Sequence, residues 1–164
     1  MIRIVFLDRD TLSPETVVRP PSVPHEMVVH ARSAPHEVAE RIRDADVVIT
    51  NKAPVRAEAL AGATKLKLIA VSATGTDIVD LAEAKARGIA VCNIRNYAKH
   101  TVPEHTFALM LALRRSILPY RQSVIEGRWQ QAAQFCYFDY PIADLGDSTL
   151  GIIGHGTLGQ SVGK

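Results

Sequence analysis

The sequence has little of what marks several large protein classes. Only two of its 164 residues are cysteines, and Cys92 and Cys136 lie far apart with no CxxC spacing, so neither a disulfide scaffold nor a metal or redox site is indicated. Aromatic residues make up 5%, and the formal net charge of +2 comes without a basic stripe, which excludes nucleic acid as an expected partner. What remains, 47% apolar and 22% charged residues, is typical of an ordinary globular protein.

Long hydrophobic runs are also missing. The longest, residues 107–113, covers about a third of the length needed to span a membrane. The first residues lack the apolar region and the cleavage site of a signal peptide. We therefore expect a protein without membrane contact, located in a reducing cytoplasm.

Five short apolar segments rich in β-branched residues predict strands. They show little alternation, which is typical of strands buried on both faces. Helices are predicted between them, two of which end at glycines suited to stopping a helix, Gly62 and Gly88. This alternation predicts an α/β fold over residues 1–97: a flavodoxin-like, doubly wound parallel sheet with helices on both faces. The predicted strands are 2–7, 27–29, 47–49, 68–71 and 89–91, and the predicted helices are 36–43, 56–62 and 78–88.

The pattern changes after residue 97, and residues 98–164 are assigned to a second domain. One long helix is predicted over 101–120, with Thr101 as N-cap, Pro103 in the first turn and Glu104 near the positive end of the helix dipole. Because residues 107–113 are apolar all round, this helix should pack between layers. A second helix is predicted at 122–129, followed by an irregular stretch over 130–147.

A glycine-rich motif follows a predicted strand at 149–153. Gly154, Gly156 and Gly159 match GxGxxG, where the first glycine allows a tight turn, the second admits a pyrophosphate and the third lets helix and strand approach. The motif predicts the start of a Rossmann domain for NAD or NADP, with a plain tight turn as the alternative. The acidic residue that would distinguish the two cofactors is expected about 20 residues further on, past Lys164, so the chain looks truncated within this domain.

Together with this motif, four stretches of the sequence resemble the D-2-hydroxyacid dehydrogenase family. They are Ser72-Ala73-Thr74-Gly75-Thr76-Asp77, Val102-Pro103-Glu104-His105, Asp144-Leu145 with the following Gly151-Ile152-Ile153 and glycine motif, and Trp129-Gln130 with Phe135-Cys136-Tyr137-Phe138-Asp139-Tyr140-Pro141. The last stretch is similar to the glycerate dehydrogenase (hydroxypyruvate reductase) branch. The resemblance covers essentially the whole chain but only the first half of a typical member.

The resemblance implies a two-domain enzyme with an interdomain helix, in which hydride passes from NAD(P)H to a 2-oxo acid such as hydroxypyruvate. It also implies a homodimer for the full-length protein. Backbone N–H groups near Ala73, Thr74 and Gly75 would bind the substrate carboxylate, and Asn51 lies where a polar side chain could reach the same rim. On the cofactor side, the residues implied are Val102, Gly154, His155, Gly156, Thr157, Leu158 and Gly159. Ordinary turn or helix-packing roles are the alternatives at each position.

No catalytic residue is expected within these 164 residues. The family's catalytic Arg, its acidic partner and its His belong to the later part of the fold, so the chain alone should be inactive. His100 and His105 flank the start of the long helix, and we expect His105 to be buried and structural. Pro103 stands where the family usually has Ala. Thr74 stands where Gly or Val is common, which should narrow the carboxylate pocket.

Other roles remain open from the sequence. Asp77 is expected to cap the helix predicted from residue 78 or to help hold the preceding turn. At the level of the whole protein, an NAD-sensing, corepressor-like interaction protein on the same fold is one alternative. A stand-alone flavodoxin-like binding module is another.

Overall fold

The computed structural model describes residues 1–164, which form two compact units, Met1–Arg95 and Asn96–Lys164. The first unit is a five-stranded sheet with three α-helices. Its strands are β1 (Ile2–Phe6), β2 (His25–Val29), β3 (Val47–Thr50), β4 (Leu68–Val71) and β5 (Ala90–Asn93), and its helices are α1 (Pro35–Ile42), α2 (Ala57–Gly62) and α3 (Leu81–Ala86). The second unit contains α4 (Thr101–Arg114), α5 (Ile117–Ile125) and α6 (Thr157–Val162).

All five strands run parallel in the order β2-β1-β3-β4-β5, which confirms the α/β fold class. The chain moves from β1 to β2 in one direction and then returns past β1 to β3. The sheet therefore has a topological switch point between β1 and β3, and the carboxyl ends of all strands meet at one edge. Ligands of such sheets bind at this edge.

The core of the first unit lies between one face of the sheet and the helices. Val5, Val48 and Ile69 stand side by side in register and are almost fully buried. Helix α1 packs against α2, and α2 against α3, so these helices form one row. The remaining members of the core include Leu7, Val38, Ile42, Val55, Leu60, Val71 and Ala84.

The strand order is that of the expected doubly wound sheet, but the α-helices of the first unit all belong to the one row. The segment between β1 and β2 would have to cover the second face, but it forms only a single 3-10 turn at Arg9–Thr11. Pro14, Pro20, Pro21 and Pro24 interrupt this segment, and each proline removes a helical hydrogen bond. The central strand β1 is buried all the same, whereas Val29 on the edge strand β2 is 50% exposed.

The helix ends differ from their predictions in two places. Gly62 is not left-handed, because α2 ends instead with a tight turn in which the Ala63 N–H donates to the Leu60 carbonyl at 3.2 Å. Helix α3 begins at Leu81, where Asp80, not Asp77, accepts a cap hydrogen bond from the Glu83 N–H at 3.0 Å. Gly88 does adopt the predicted left-handed conformation, with φ +70°.

The single helix predicted over 101–120 is two helices. Helix α4 has His100 rather than Thr101 as its N-cap, and the chain breaks after α4 at Ser116, which has φ +48°. The cause is Pro119, because a continuous helix would press the proline ring against the Arg115 carbonyl. In the first turn of α5 the same proline is tolerated. The helix predicted at 122–129 is therefore wrong, since α5 already ends at Ile125.

The prediction that α4 packs between layers is wrong as well. No residue of α4 is buried; Leu109 is 53% and Leu113 78% exposed, and His105 is exposed rather than buried. Within its unit, α4 packs only against α5 and α6. The second unit has no sheet that could form a covering layer.

The strand predicted at 149–153 is not formed. A strand needs a neighbour to complete its ladder of hydrogen bonds, and the second unit contains no strand. The side chain of Ile153 is fully exposed. The helix predicted after the glycine motif is present as α6. None of the helices is long and apolar enough to span a membrane.

Candidate functional sites

Two loops at the carboxyl edge of the sheet bring the predicted substrate residues close together in the fold. The β3 loop (residues 51–54) and the β4 loop (residues 72–77) follow paired neighbouring strands. The Ser72 N–H donates to the Thr50 carbonyl at 2.8 Å and so extends this pairing to the start of both loops. Asn51 and Ala73 therefore lie at the same edge of the same sheet.

The β4 loop is fixed through its carbonyl oxygens. The Ile94 N–H donates to the Ala73 carbonyl at 3.0 Å, and Asn93 Nδ2 donates to the Thr74 carbonyl at 2.7 Å. The Thr74 hydroxyl donates in turn to the Ile94 carbonyl at 3.0 Å. The last residue of β5 and the residue after it thus hold the β4 loop by three hydrogen bonds.

The N–H groups of the same loop are unused. Those of Ala73, Thr74, Gly75 and Thr76 make no hydrogen bond within the chain. Thr74 and Gly75 are exposed, so their donors are within reach of a ligand. Successive free N–H groups in a fixed turn are a binding site for an anion such as a carboxylate.

Space at Gly75 is limited by Asp77. A Cβ added to Gly75 would lie 3.0 Å from Asp77 Oδ1, so Asp77 sits against the turn that it was expected to help hold. The Asp77 carbonyl accepts a hydrogen bond from Arg56 Nη1 at 2.8 Å, which ties the β4 loop to the start of α2.

Asn51 is half-buried and fixed by its backbone. Its N–H donates to the carboxylate of Asp8, and its side-chain Nδ2 lies 3.4 Å from the Thr11 carbonyl. A surface cavity of about 470 Å³ opens beside it, with Asp8, Arg32 and Lys52 in its lining. None of the four predicted substrate residues lines this cavity.

One titratable group at this edge has a shifted pKa. His30 follows β2, and partial burial, assisted by the positive charge of Arg41, lowers the pKa of its imidazole below the ordinary value. Protonation of His30 is therefore disfavoured in the folded chain.

The glycine motif of the second unit forms a tight turn into α6. Gly154 has φ +104°, which favours glycine, and Gly156 is the N-cap of α6. A Cβ at Gly159 would lie 2.1 Å from the Gly154 carbonyl oxygen, so only glycine permits this approach of helix and turn. Gln160 Nε2 donates to the His155 carbonyl at 3.0 Å and fixes the turn further.

Gly156 differs from the other two glycines of the motif. Its φ is −81°, unlike that of Gly154, and a Cβ added there would meet nothing within 4 Å, unlike one at Gly159, so neither conformation nor contact requires glycine at this position. The N–H groups of His155 and Gly156 make no hydrogen bond within the chain. Open space beside free donors fits the pyrophosphate of a dinucleotide.

The other predicted cofactor residues lie on either side of this turn and at the start of α4. Thr157 and Leu158 form the first turn of α6, and Leu158 is 43% exposed. Val102 is 36% exposed, and its carbonyl accepts a hydrogen bond from the Thr106 hydroxyl at 2.8 Å.

Sequence reasoning missed Asp8 and Asn93, which fix the β3 and β4 loops. Both are polar residues at the carboxyl end of a strand, β1 and β5 respectively. That position is where functional side chains of a parallel sheet collect, and it is the signal that could have identified them.

Comparison with known proteins gives consistent matches. The family model for the D-isomer specific 2-hydroxyacid dehydrogenase catalytic domain matches residues 5–150. A glycerate dehydrogenase of Methylorubrum extorquens is 54% identical over 163 residues, which are 99% of this chain and 51% of that protein. A hydroxypyruvate reductase of Blautia hydrogenotrophica is 39% identical over 124 residues, covering 76% of this chain and 38% of that protein.

Solved structures show the same fold. An NADPH-dependent glyoxylate/hydroxypyruvate reductase of Sinorhizobium meliloti superimposes with a TM-score of 0.72 at 25% identity, covering 99% of this chain and 49% of that one. A protein of Thermus thermophilus superimposes with a TM-score of 0.76 at 26% identity, covering 99% and 51%. The chain thus spans about half the length of the relatives it matches.

Proposed function

Because this chain belongs to the D-isomer specific 2-hydroxyacid dehydrogenase family, we propose that it is the N-terminal portion of an NAD(P)-dependent oxidoreductase. Its substrate would be hydroxypyruvate or a similar small 2-oxo acid, reduced to D-glycerate or the matching 2-hydroxy acid. The observation that carries this proposal is the β4 loop, held by its carbonyl oxygens and offering free N–H groups at the ligand-binding edge of the sheet.

In this proposal the substrate carboxylate accepts hydrogen bonds from the N–H groups of Ala73, Thr74 and Gly75. Backbone donors of a fixed loop bind a carboxylate in one orientation and need no charged side chain. Asn51, at the same edge, would contact the polar end of the substrate. These residues bind and orient; none of them is assigned a proton-transfer role.

The cofactor side is proposed for the second unit. The turn at Gly154, the open space at Gly156 and the close approach at Gly159 would receive the pyrophosphate of NAD or NADP, with backbone contacts from His155, Thr157 and Leu158. Val102 would line the nicotinamide side. A nicotinamide cofactor supplies the hydride of such a reduction, and the protein supplies binding and orientation.

A stand-alone flavodoxin-like module is disfavoured by Asp8. At the switch point between β1 and β3, the Asp8 carboxylate already accepts the N–H groups of the β3 loop. These backbone donors are therefore not free to bind a mononucleotide phosphate. An NAD-sensing interaction protein would bind the cofactor without turnover, so an assay of turnover separates it from an enzyme.

The test joins residues 1–164 to the C-terminal half of the Methylorubrum extorquens glycerate dehydrogenase, whose first half is 54% identical to this chain. We expect this chimera to oxidise NADH or NADPH when hydroxypyruvate is added, with the complete relative as positive control. A folded chimera that binds the cofactor without reducing any 2-oxo acid would contradict the proposal and favour the sensing alternative.

Two further proposals concern the full-length protein. Several apolar side chains of α4 are exposed, which fits a homodimer, and both cysteines are free, which fits a reducing cytoplasm. Light scattering on the chimera tests the first: a mass of two chains is expected, and a mass of one would contradict it.

A further inference from the structure

A buried carboxylate at the carboxyl edge of the sheet holds the β3 loop. Asp8 is 3% exposed and accepts hydrogen bonds from three successive backbone N–H groups: Asn51 at 2.9 Å, Lys52 at 2.5 Å and Ala53 at 2.7 Å. We call these three donors the anion nest. Three converging donors are what a buried negative charge needs in order to be stable.

Both partners of this contact are fixed by other bonds. The Thr50 hydroxyl, fully buried, donates to the Ala53 carbonyl at 2.8 Å and closes the loop from the inside. The Thr11 hydroxyl donates to the Asp8 carbonyl at 2.7 Å and holds the segment that follows β1. The carboxylate and the anion nest therefore meet in one geometry.

We propose that Asp8 is a positioning residue for the substrate rim, acting through Asn51. Its carboxylate already accepts three hydrogen bonds within the chain, so it does not contact substrate. Asp8 instead sets the direction in which the β3 loop presents Asn51. This inference rests on the proposed function, in which Asn51 contacts the 2-oxo acid. Loops with successive free backbone N–H groups commonly bind an anion from solution. In this chain the Asp8 carboxylate is that anion.

The substitution Asp8→Asn tests this by changing charge and donor pattern at nearly constant shape. An amide carries no negative charge, and its NH₂ group would replace Oδ1, which accepts the Asn51 N–H at 2.9 Å, so the hydrogen bonds of the anion nest become weaker. In the 164-residue chain we expect faster hydrogen exchange at the amides of Asn51, Lys52 and Ala53, read residue by residue by NMR. Unchanged exchange at all three would overturn the proposal.

Asp46→Asn is the matched control. Asp46 Oδ2 accepts from the Arg3 N–H at 2.9 Å, a bond of the same kind between the same two strands at the opposite edge of the sheet. It should leave the exchange of the anion nest unchanged. If both substitutions accelerate the three amides equally, the effect is general loosening of the sheet, and the proposal fails.

The functional readout uses the chimera. We expect Asp8→Asn to raise KM for hydroxypyruvate about tenfold, with kcat within about twofold and KM for the cofactor unchanged. Because Asp8 acts through Asn51, the double variant Asp8→Asn with Asn51→Ala should have the KM of Asn51→Ala alone. If the increases in KM caused by the two single substitutions multiply in the double variant, Asp8 does not act through Asn51.

A second variant covers the case in which Asp8→Asn does not fold. In Asp8→Gly the carboxylate is gone, and formate ions can take its place in the anion nest. We expect sodium formate to restore the native amide signals of residues 51–53, while sodium chloride does not; an equal response to both salts overturns the proposal. If the unsubstituted chimera fails to reduce hydroxypyruvate, the proposed function fails, and the exchange data alone decide whether Asp8 positions the loop.

Discussion

Thr74 Oγ1 donates a hydrogen bond to the carbonyl oxygen of Ile94 at 3.0 Å. Thr74, which stands where the resemblance leads one to expect Gly or Val, therefore ties the β4 loop to the segment after β5. Asn93, the last residue of β5, reinforces the tie by donating to the Thr74 carbonyl. The Thr74 hydroxyl, which Gly and Val lack, therefore helps to fix the β4 loop in this chain.

Removing the Thr74 hydroxyl should weaken substrate binding. In the chimera, Thr74→Val keeps the shape of the side chain and loses one hydrogen bond, a net loss of about 1 kcal/mol that corresponds to about a fivefold higher KM for hydroxypyruvate. Thr74→Ser retains the hydroxyl and should stay close to the unsubstituted value. Steady-state kinetics give KM for hydroxypyruvate in both variants. Identical KM values would contradict a role of the Thr74–Ile94 hydrogen bond in substrate binding.

A substitution at Gly156 distinguishes a cofactor-binding loop from a plain turn. Since a Cβ there meets no atom of the chain, Gly156→Ala should leave the free energy of unfolding within about 0.5 kcal/mol. In the proposed cofactor site the same methyl group would stand where the pyrophosphate approaches, so KM for NADH should rise at least about tenfold. Gly151→Ala, equally free of neighbours, is the control and should change neither quantity. An unchanged KM in Gly156→Ala would favour the plain turn.

A substitution at Gly159, unlike one at Gly156, should lower the free energy of unfolding. An added Cβ would lie 2.1 Å from the Gly154 carbonyl oxygen, so α6 has to move away from the turn in Gly159→Ala. Overpacking of this kind costs about 1–3 kcal/mol. Thermal unfolding of the chimera measures it, with Gly151→Ala again as the neutral reference. Equal melting temperatures would contradict the close approach of α6 and the turn.

Glu37 predicts a pH dependence for α1. Its carboxylate accepts the Ala34 N–H at 2.7 Å and lies 2.6 Å from Arg41; the Ala34 bond, aided by the charge of Arg41, holds the pKa of Glu37 below its ordinary value. A lowered pKa in the folded state stabilises the fold above the unfolded pKa, and this stabilisation is lost as the pH falls through the folded one.

Glu37→Gln should therefore lower the melting temperature at neutral pH, and the difference from the unsubstituted chain should vanish in acid. Melting curves recorded from neutral pH down to below the ordinary pKa of a glutamate test this. The exposed Glu40 of the same helix is the control, because Glu40→Gln removes a charge without removing a cap. A difference that persists at low pH would show that Glu37 acts by packing instead.

The chain by itself should not turn over hydroxypyruvate. The resemblance places the family's Arg, its acidic partner and its His in the part of the fold that follows, and none of the six histidines here is assigned that role. The 164-residue chain should show no NADH oxidation under conditions in which the chimera does. Turnover by this chain would contradict the assignment of the chemistry to the later half.

Local patterns predicted the elements that local chemistry decides. Runs such as Leu68–Val71 are strands because they are short, apolar and β-branched, and Gly88 ends α3 because it adopts a left-handed conformation. The break at Ser116 could also have been predicted from the sequence, since Pro119 excludes a continuous helix. The strand predicted at 149–153 failed because a strand depends on a neighbour as well as on its own sequence.

The candidate sites were predictable in part. The β4 loop and the glycine motif are contiguous in sequence, so their residues could be named from it. The bonds that shape the loops are not contiguous: Asp8 and Asn51 are 43 residues apart, and Asn93 and Thr74 are 19 apart. A single sequence gives no pairing information over such distances, so the partners of each loop emerge only from the folded chain.

A crystal structure of the chimera with a bound substrate-like dicarboxylate, such as oxalate or tartronate, tests the proposed carboxylate site most directly. The expected result is a carboxylate oxygen about 2.9 Å from the backbone nitrogens of Thr74 and Gly75, with the bonds from Thr74 to Ile94 and from Asn93 to Thr74 intact. A carboxylate bound at the same cleft but held by other groups, with the N–H groups of residues 73–76 facing water, would contradict it.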